Sequence, residues 1–351
     1  MTNLILILFI PLILITNHIL KKNKILLNYT GQSHQKYTHD DYIPLSGGSF
    51  IFLFFILNFN YFNIYFLIFL CAFYIFGLIV DLNLIKSPSL RFIIQIFFLI
   101  IFISNFDLSI KDLRIMEINN LLENYYINMF FVIFCLLVFI NGSNFIDGNN
   151  GLAIGYFLII FLVFSYLYFK MEFYYDVNLY YDINLLFKFI FLLIILLFFN
   201  LFNKIYLGDN GIYILSLFAG FLVINLSSNY PEISPYFMAN LLWYPAFEIL
   251  FSLIRKISSK FSPMDPDTLH LHQLLFYFFK KKLNISKIAN NSLTGISINI
   301  YNSVVIFFAL LNIYNTKLQI LFLSISITTY IISYFFLNNF KKLFVNEKLK
   351  H

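Results

Sequence analysis

The sequence predicts an all-α, polytopic integral membrane protein with about eleven spanning helices. Three observations carry that prediction. Sixty per cent of the 351 residues are hydrophobic, 48 of them Phe, and only 11% are Asp, Glu, Lys or Arg, against about 25% charged residues in a soluble domain. Apolar runs close to the ~20 residues that cross a bilayer recur along the chain. The basic residues lie dispersed between those runs, so the net charge of +6 reads as a membrane-orientation signal and not as a nucleic-acid footprint.

The first run, near 3–20, has no basic leader and no small-residue cleavage site, and Lys21, Lys22 and Lys24 follow it at once. It is expected to be a retained helix with its N-terminus outside. The second, near 44–60, is the weakest, because it opens on Gly47-Gly48 and closes on Asn58 and Asn60. Further runs lie near 62–80, 90–106, 126–141, 152–169, 184–202, 211–227, 236–255, 298–315 and 318–338, followed by a basic tail over 339–351. The whole chain reads as one transmembrane catalytic domain with its motifs within 36–273, without internal repeats. Cys71 and Cys135 fall inside apolar runs with no ligand or disulfide spacing and are expected to be packing residues.

If the loop after the first helix faces inside, eighteen Lys and Arg occupy inner loops and the tail. Lys111, Arg114, Lys170 and Lys317 alone occupy outer ones, and Lys188 can snorkel from the seventh run. The acids of the outer loops are scattered. Those of the inner loops sit at run ends beside Gly, Asn, Lys or His. The polar clusters are therefore expected on one cytoplasmic face.

Five inner segments hold these clusters. Lys36 to Gly48 ends Pro-Leu-Ser-Gly-Gly; Gly47 and Gly48 at a helix mouth permit close backbone approach and would present amides to an anion, or would simply form a turn and a helix contact. Asp81, with Asn83, Lys86, Ser87-Pro88 and Arg91 after it, suits a metal or phosphate, and equally an ordinary capped loop. Asn141 to Gly151 gathers one carboxylate, four amides and three glycines and suits a nucleotide or sugar. Lys204 to Gly211 holds Asp209 between glycines at a helix start, a place for Mg²⁺ or for an N-cap. Asp265, Asp267, His270 and His272 share the last inner loop. The two His stand at i and i+2, which is not the spacing of a helical zinc pair. Glu248, inside an apolar run near Pro245, is a functional candidate by its intramembrane position.

In order and placement these motifs resemble the polyprenyl-phosphate N-acetylhexosamine-1-phosphate transferases of glycosyltransferase family 4, relatives of the phospho-MurNAc-pentapeptide translocases. The resemblance covers about Lys36 to Gln273. Pro44 to Gly48 is similar to the family's Pro-x-x-Gly-Gly, and Asp81 to Arg91 to its acidic loop ending in Ser-Pro and a base. Asn141 to Leu152 resembles its Asn-x-x-Asn-x-x-Asp-Gly-x-x-Gly-Leu, Lys204 to Gly211 its Lys-x-x-x-Gly-Asp-x-Gly, and His270-Leu271-His272 its His-x-His. The acidic pair is reduced to Asp81. Asn150 stands where a second Asp is common, Glu248 where Asp is usual, Thr268 where a base often stands and Gln273 in place of a third His.

The resemblance implies transfer of an N-acetylhexosamine-1-phosphate, such as GlcNAc-1-phosphate, from a UDP-sugar to undecaprenyl (polyprenyl) phosphate. UMP is released, and lipid-linked glycan synthesis for O-antigen or cell-envelope polysaccharide begins at the bacterial cytoplasmic (inner) membrane. Asp209 is the expected Mg²⁺ ligand, with Asp81 as a second candidate and Mn²⁺ as an alternative ion. Asp147, Asn144 and Asn141 are expected to orient the donor, with Asn150 beside them. Asp81 would deprotonate or position the lipid phosphate, and Lys36, Gly47, Gly48, Arg91, Lys204, His270 and His272 would contact phosphates. The expected partners are UDP-N-acetylhexosamine, polyprenyl phosphate, membrane lipids and a second copy of the chain, with no nucleic acid. Two other classes fit the pattern less well. A transporter or flippase would place its polar residues near the midplane and in paired repeats, whereas here they are interfacial and one-sided; a noncatalytic scaffold would not require Asp, Gly and His at these positions.

Overall fold

In the computed structural model, residues 7–28, 42–170, 183–260 and 269–348 are described, and they are helical with no strand among them. Lys36, Asp265, Asp267 and Thr268 lie outside the described residues. In chain order the helices are α1 (Phe9–Asn23), α2 (Gly47–Leu57), α3 (Ile64–Asp81), α4 (Pro88–Phe106), α5 (Met116–Leu122), α6 (Tyr125–Ile146) and α7 (Leu152–Lys170). They continue as α8 (Ile183–Leu201), α9 (Gly208–Asn229), α10 (Pro235–Ser258), α11 (Leu271–Lys282), α12 (Lys287–Leu311) and α13 (Thr316–Lys348).

Each of the eleven apolar runs holds a helix among its described residues, and nine of these helices are long and apolar enough to cross a membrane. This is a multi-pass membrane protein. The other two runs fall short, α1 having 15 described residues and α2 having 11. At 1.5 Å per residue α2 reaches about 16 Å, half of a ~30 Å hydrocarbon core. Its stop is local: the Asn58 side chain folds back to donate to the Phe54 carbonyl at 2.8 Å, and one 3-10 turn, Phe59–Tyr61, follows. The last helix runs on through Lys348, so the basic stretch from 339 is a helical extension and not a separate tail.

The centre of the bundle is α9, a span with apolar residues on every side, as expected of a helix buried all round. It packs against α2, α3, α6 and α7. Phe55, Phe62, Phe66 and Phe189 crowd around Phe218 and Phe221 of α9 with ring-centroid separations of 4.9 to 6.2 Å, mostly tilted or edge-on, the preferred geometry of aromatic pairs. The abundant Phe is thus the packing material of the core.

Two places show how polar backbone is accommodated inside the bundle. Pro245 interrupts α10 and cannot donate to the Leu241 carbonyl; the Tyr156 hydroxyl of α7 donates to that carbonyl instead, at 3.0 Å, as a helix in lipid requires. At the start of α2, the Gly47 amide donates to the Tyr206 carbonyl (2.9 Å) and the Gly48 amide to the Leu207 carbonyl (3.1 Å). These amides are therefore not presented to an anion, contrary to the expectation from their place at a helix mouth. Gly48 serves close packing: a Cβ there would stand 1.9 Å from Asn210 Oδ1 and 2.3 Å from the Gly211 nitrogen. Gly48→Ala is expected to push α2 off α9, lowering the thermal midpoint of the purified protein, with a substitution of the exposed Leu57 on the same helix as the milder comparison.

Candidate active site

Polar residues from six helices meet at one end of the bundle. At the end of α3, Asp81 accepts hydrogen bonds from the backbone of α9. Its Oδ1 takes the Asp209 amide (2.9 Å), and its Oδ2 takes the Asn210 amide (3.0 Å) and the Asn210 side chain. An N-cap side chain ordinarily serves these same second and third amides from its own helix. Here Leu207 occupies the N-cap position and offers no side-chain bond, so a carboxylate from another helix does so. Gly208 makes room for it: its φ is +73°, and a Cβ would come 2.7 Å from Asp81 Oδ2.

This arrangement places Asp209 in the first turn of α9, with 14% of its side chain exposed. It faces Arg91 Nη1 at 3.7 Å and is hydrogen-bonded by Asn144. Arg91, in the first turn of α4, is held by two hydrogen bonds to the Ile85 carbonyl, of 3.0 and 2.8 Å. Asp147 caps the C-terminal end of α6, close enough to Asp209 and Asp81 to feel both charges. Burial, then Asp209, then Asp81, push its carboxyl well above the ordinary carboxylate range; a hydrogen bond from the Gly208 amide works the other way. Three carboxylates from three helices thus lie within reach of one another's charge, and one of them, Asp209, faces a guanidinium.

The His pair joins them from the other side. His270 caps α11 in an extended conformation and His272 lies in its first turn, so a spacing that would separate them on a helix leaves the rings parallel, 7° apart and 5.5 Å between centroids. The His270 ring lies 5.0 Å from that of Phe145, and a Cβ on Gly148 would stand 3.2 Å from His272 Nε2. His270 Nδ1 bonds Glu248 Oε1 at 2.9 Å, an oxygen that also accepts the Leu271 amide at 3.3 Å, while Tyr330 donates to Glu248 Oε2 at 2.9 Å. Glu248 is fully committed inside the protein. The functional candidate inside that apolar run is thus a support for His270.

The stretch from 141 to 151 is not one long loop. Asn141 to Ile146 continue α6, and Asn141 donates to Gln95 Oε1 (2.8 Å) and the Leu137 carbonyl (2.9 Å). Only residues 147–151 turn. Asn150 is buried and saturated: its amide donates to Asn203 Oδ1 (2.6 Å) and Ser292 Oγ (3.3 Å), and its oxygen accepts from Tyr206 (2.6 Å) and Asn291 (3.1 Å). With Asn149 bonded to Asn291, and Asn200 and Asn299 holding the Gly151 backbone, Asn150 shapes the turn and has no polar atom left for a substrate. Lys204 is exposed, and its carbonyl accepts from Asn17 of α1 at 2.9 Å.

Sequence reading missed Asn291 and Ser292, because α12 starts at Lys287, eleven residues before the predicted run, and it missed Asn299 because that residue falls within the apolar run itself. A polar Asn-Asn-Ser-Leu-Thr-Gly string ahead of an apolar run was the available sign; those amides enter the bundle because the turn at 147–151 satisfies them.

The donor set suits a hard divalent cation. Among the described residues no three acidic, His or Cys side chains form a closed metal cage. Mg²⁺ does not demand one, since it takes one or two carboxylates and completes its shell with water and substrate phosphates. Asp209 and Asp147 are the carboxylates with the fewest protein hydrogen bonds here.

Residues 63–227, the part of the chain that carries Asp81, Arg91, Asp147 and Asp209, match the model of a protein family described as glycosyl transferase family 4. No curated protein matches the chain.

Proposed function

We propose, on the match of residues 63–227 to glycosyl transferase family 4, whose members at family level are polyprenyl-phosphate sugar-phosphate transferases, that this chain moves an N-acetylhexosamine-1-phosphate from a UDP-sugar to undecaprenyl phosphate. The observation that carries this reading is the meeting of Asp81, Asp147 and Asp209 with Arg91 and the His270–His272 pair at one end of a membrane bundle. A lipid-borne phosphate and a soluble nucleotide can meet there and nowhere deeper. The excess of Lys and Arg in the loops at this end supports a cytoplasmic placement of the site, in a bacterial inner membrane.

An oxygen of the acceptor phosphate attacks the β-phosphorus of the donor. The bond from that phosphorus to the bridging oxygen breaks, and UMP leaves with the electron pair. Both reactants are anions, so positive charge has to accumulate at the diphosphate. Mg²⁺ bound by Asp209, with Asp147 beside it, would supply Lewis-acid charge stabilisation. Arg91 adds a fixed cation that the Ile85 carbonyl holds in place. Asp81, whose oxygens already accept three N–H bonds, positions the first turn of α9 and leaves proton transfer to others. His270 and His272, stacked on each other beside Phe145 and Gly148, present imidazole edges to the donor's phosphates. Asn144 keeps the Asp209 carboxylate oriented.

The test is release of UMP by purified protein in detergent with undecaprenyl phosphate and a panel of UDP-sugars. Release should require acceptor, donor and Mg²⁺ together and vanish with EDTA. Transport of an intact lipid-linked substrate across sealed vesicles, with no cleavage, would replace this reading with that of a flippase.

A further inference from the structure

The last helix of the chain has no part in the reading above, yet it reaches the carboxylate behind His270. α13 packs against α10, which carries Glu248, and against α11, which begins at His270 and Leu271. Tyr330 lies on α13, well beyond residue 227 where the family match ends, and is 2% exposed. Its ring packs on Phe247 and Phe251 of α10, with centroids 5.0 and 5.3 Å away. Its hydroxyl donates to Glu248 Oε2 at 2.9 Å.

The other carboxylate oxygen serves the start of α11. Oε1 meets His270 Nδ1 at 2.9 Å and the Leu271 amide at 3.3 Å. That amide belongs to a first helical turn, which has no partner within its own helix, and the dipole of α11 favours a negative charge there. A carboxylate that accepts at both oxygens has no proton to give, so His270 Nδ1 is the donor of its bond. The proton then stays on Nδ1 whether the ring is neutral or charged. Nε2, at the opposite edge, is an acceptor in the neutral ring and a cationic donor in the imidazolium.

The plane of the carboxylate decides how well this works. The last torsion of a glutamate side chain is broad and roughly two-fold, so donors on Oε1 alone leave the group free to turn. Tyr330 removes that freedom by engaging Oε2 from a third helix. The same bond satisfies a hydroxyl that would be costly to bury inside an apolar span without one.

We propose that Tyr330 is a positioning residue of the active site: by holding the Glu248 carboxylate in one plane, it fixes the ring orientation and the Nδ1-protonated form of His270. The kinetic part of this rests on the transferase reading, in which His270 meets the donor's phosphates. Tyr330 touches no substrate itself. It acts as an outer partner, extending by one hydroxyl the arrangement in which a carboxylate orients an imidazole.

Two measurements on the full-length protein in detergent test this. The first is nitrogen magnetic resonance on protein carrying isotopically labelled histidine, recorded with the imidazoles neutral; His270→Gln identifies the His270 signals by their loss. Wild type should show His270 protonated at Nδ1 alone. Tyr330→Phe keeps the ring contacts and deletes only the hydroxyl, and it should add a population protonated at Nε2. Tyr301→Phe, which deletes a hydroxyl of α12 that has no hydrogen-bond partner among the described residues, should leave the wild-type signals.

The second measurement is steady-state release of UMP. Tyr330→Phe should lower kcat about tenfold, the lower end for loss of an outer partner, and leave both KM values within about twofold. In the His270→Gln protein the same substitution should lower kcat no further. A loss by the same factor in both backgrounds means that Tyr330 acts on the fold and not through His270, and overturns the proposal. Unchanged kcat in Tyr330→Phe, or His270 still protonated at Nδ1 alone, overturns it too. If the wild-type protein releases no UMP, the transferase reading falls, and the magnetic resonance comparison by itself decides whether Tyr330 sets the state of His270.

Discussion

Asp209→Asn is expected to leave the protein inserted and folded while Mg²⁺-dependent UMP release falls about a thousandfold, the scale of losing one principal charge-stabilising group. The substitution preserves volume. The α9 amides that Asp81 caps are backbone groups and are untouched, and Asn can still bond Asn144. What disappears is a carboxylate facing Arg91 at 3.7 Å and available to a cation. Arg91 keeps its two bonds to Ile85, so the loop should hold its shape. Thermal unfolding within a few degrees of wild type together with lost turnover is the expected pair of results. Undiminished turnover would remove Asp209 from the site.

Glu248→Ala is expected to damage both fold and activity. The carboxylate is 1% exposed and accepts from His270, the Leu271 amide and Tyr330. Removing one partner of such a buried pair costs about 3–5 kcal/mol, and the imidazole loses the bond that orients its ring toward Phe145. Glu248→Gln separates the two effects. It retains size and an oxygen for Leu271 or Tyr330 while weakening the charge-assisted bond to His270, so most of the stability should return and most of the activity should not. Circular dichroism melting and UMP release on the same samples check this; equal recovery of both would assign Glu248 a purely architectural role.

These expectations depend on contacts of uneven visibility in the sequence. Spanning helices are visible because a bilayer imposes one length and one polarity on each: Ile64 to Asp81 could hardly be anything else. Asp209 between two glycines at a helix start was also visible, since a first turn is a local matter. The role of Asp81 was not, because the helix it caps begins more than a hundred residues later. The free amides expected at Gly47 and Gly48 failed for a similar reason: which carbonyl they meet depends on where Tyr206 and Leu207 lie. Asn150 looked available in an amide-rich loop, and only the arrival of Asn203, Tyr206, Asn291 and Ser292 around it shows its hydrogen-bonding capacity used up.

The sequence alone determined that this chain crosses a membrane many times, that its acids, glycines and histidines gather at run ends, and which family it resembles. Hydropathy, charge bias and motif order are properties of segments, and each segment carries its own. Only the tertiary structure decided which polar groups remain open to a substrate and which are satisfied by the protein, because a hydrogen bond or ion pair is a property of two groups. In a bundle where one residue's partner stands 22, 82 or 128 positions away, helix packing makes that choice.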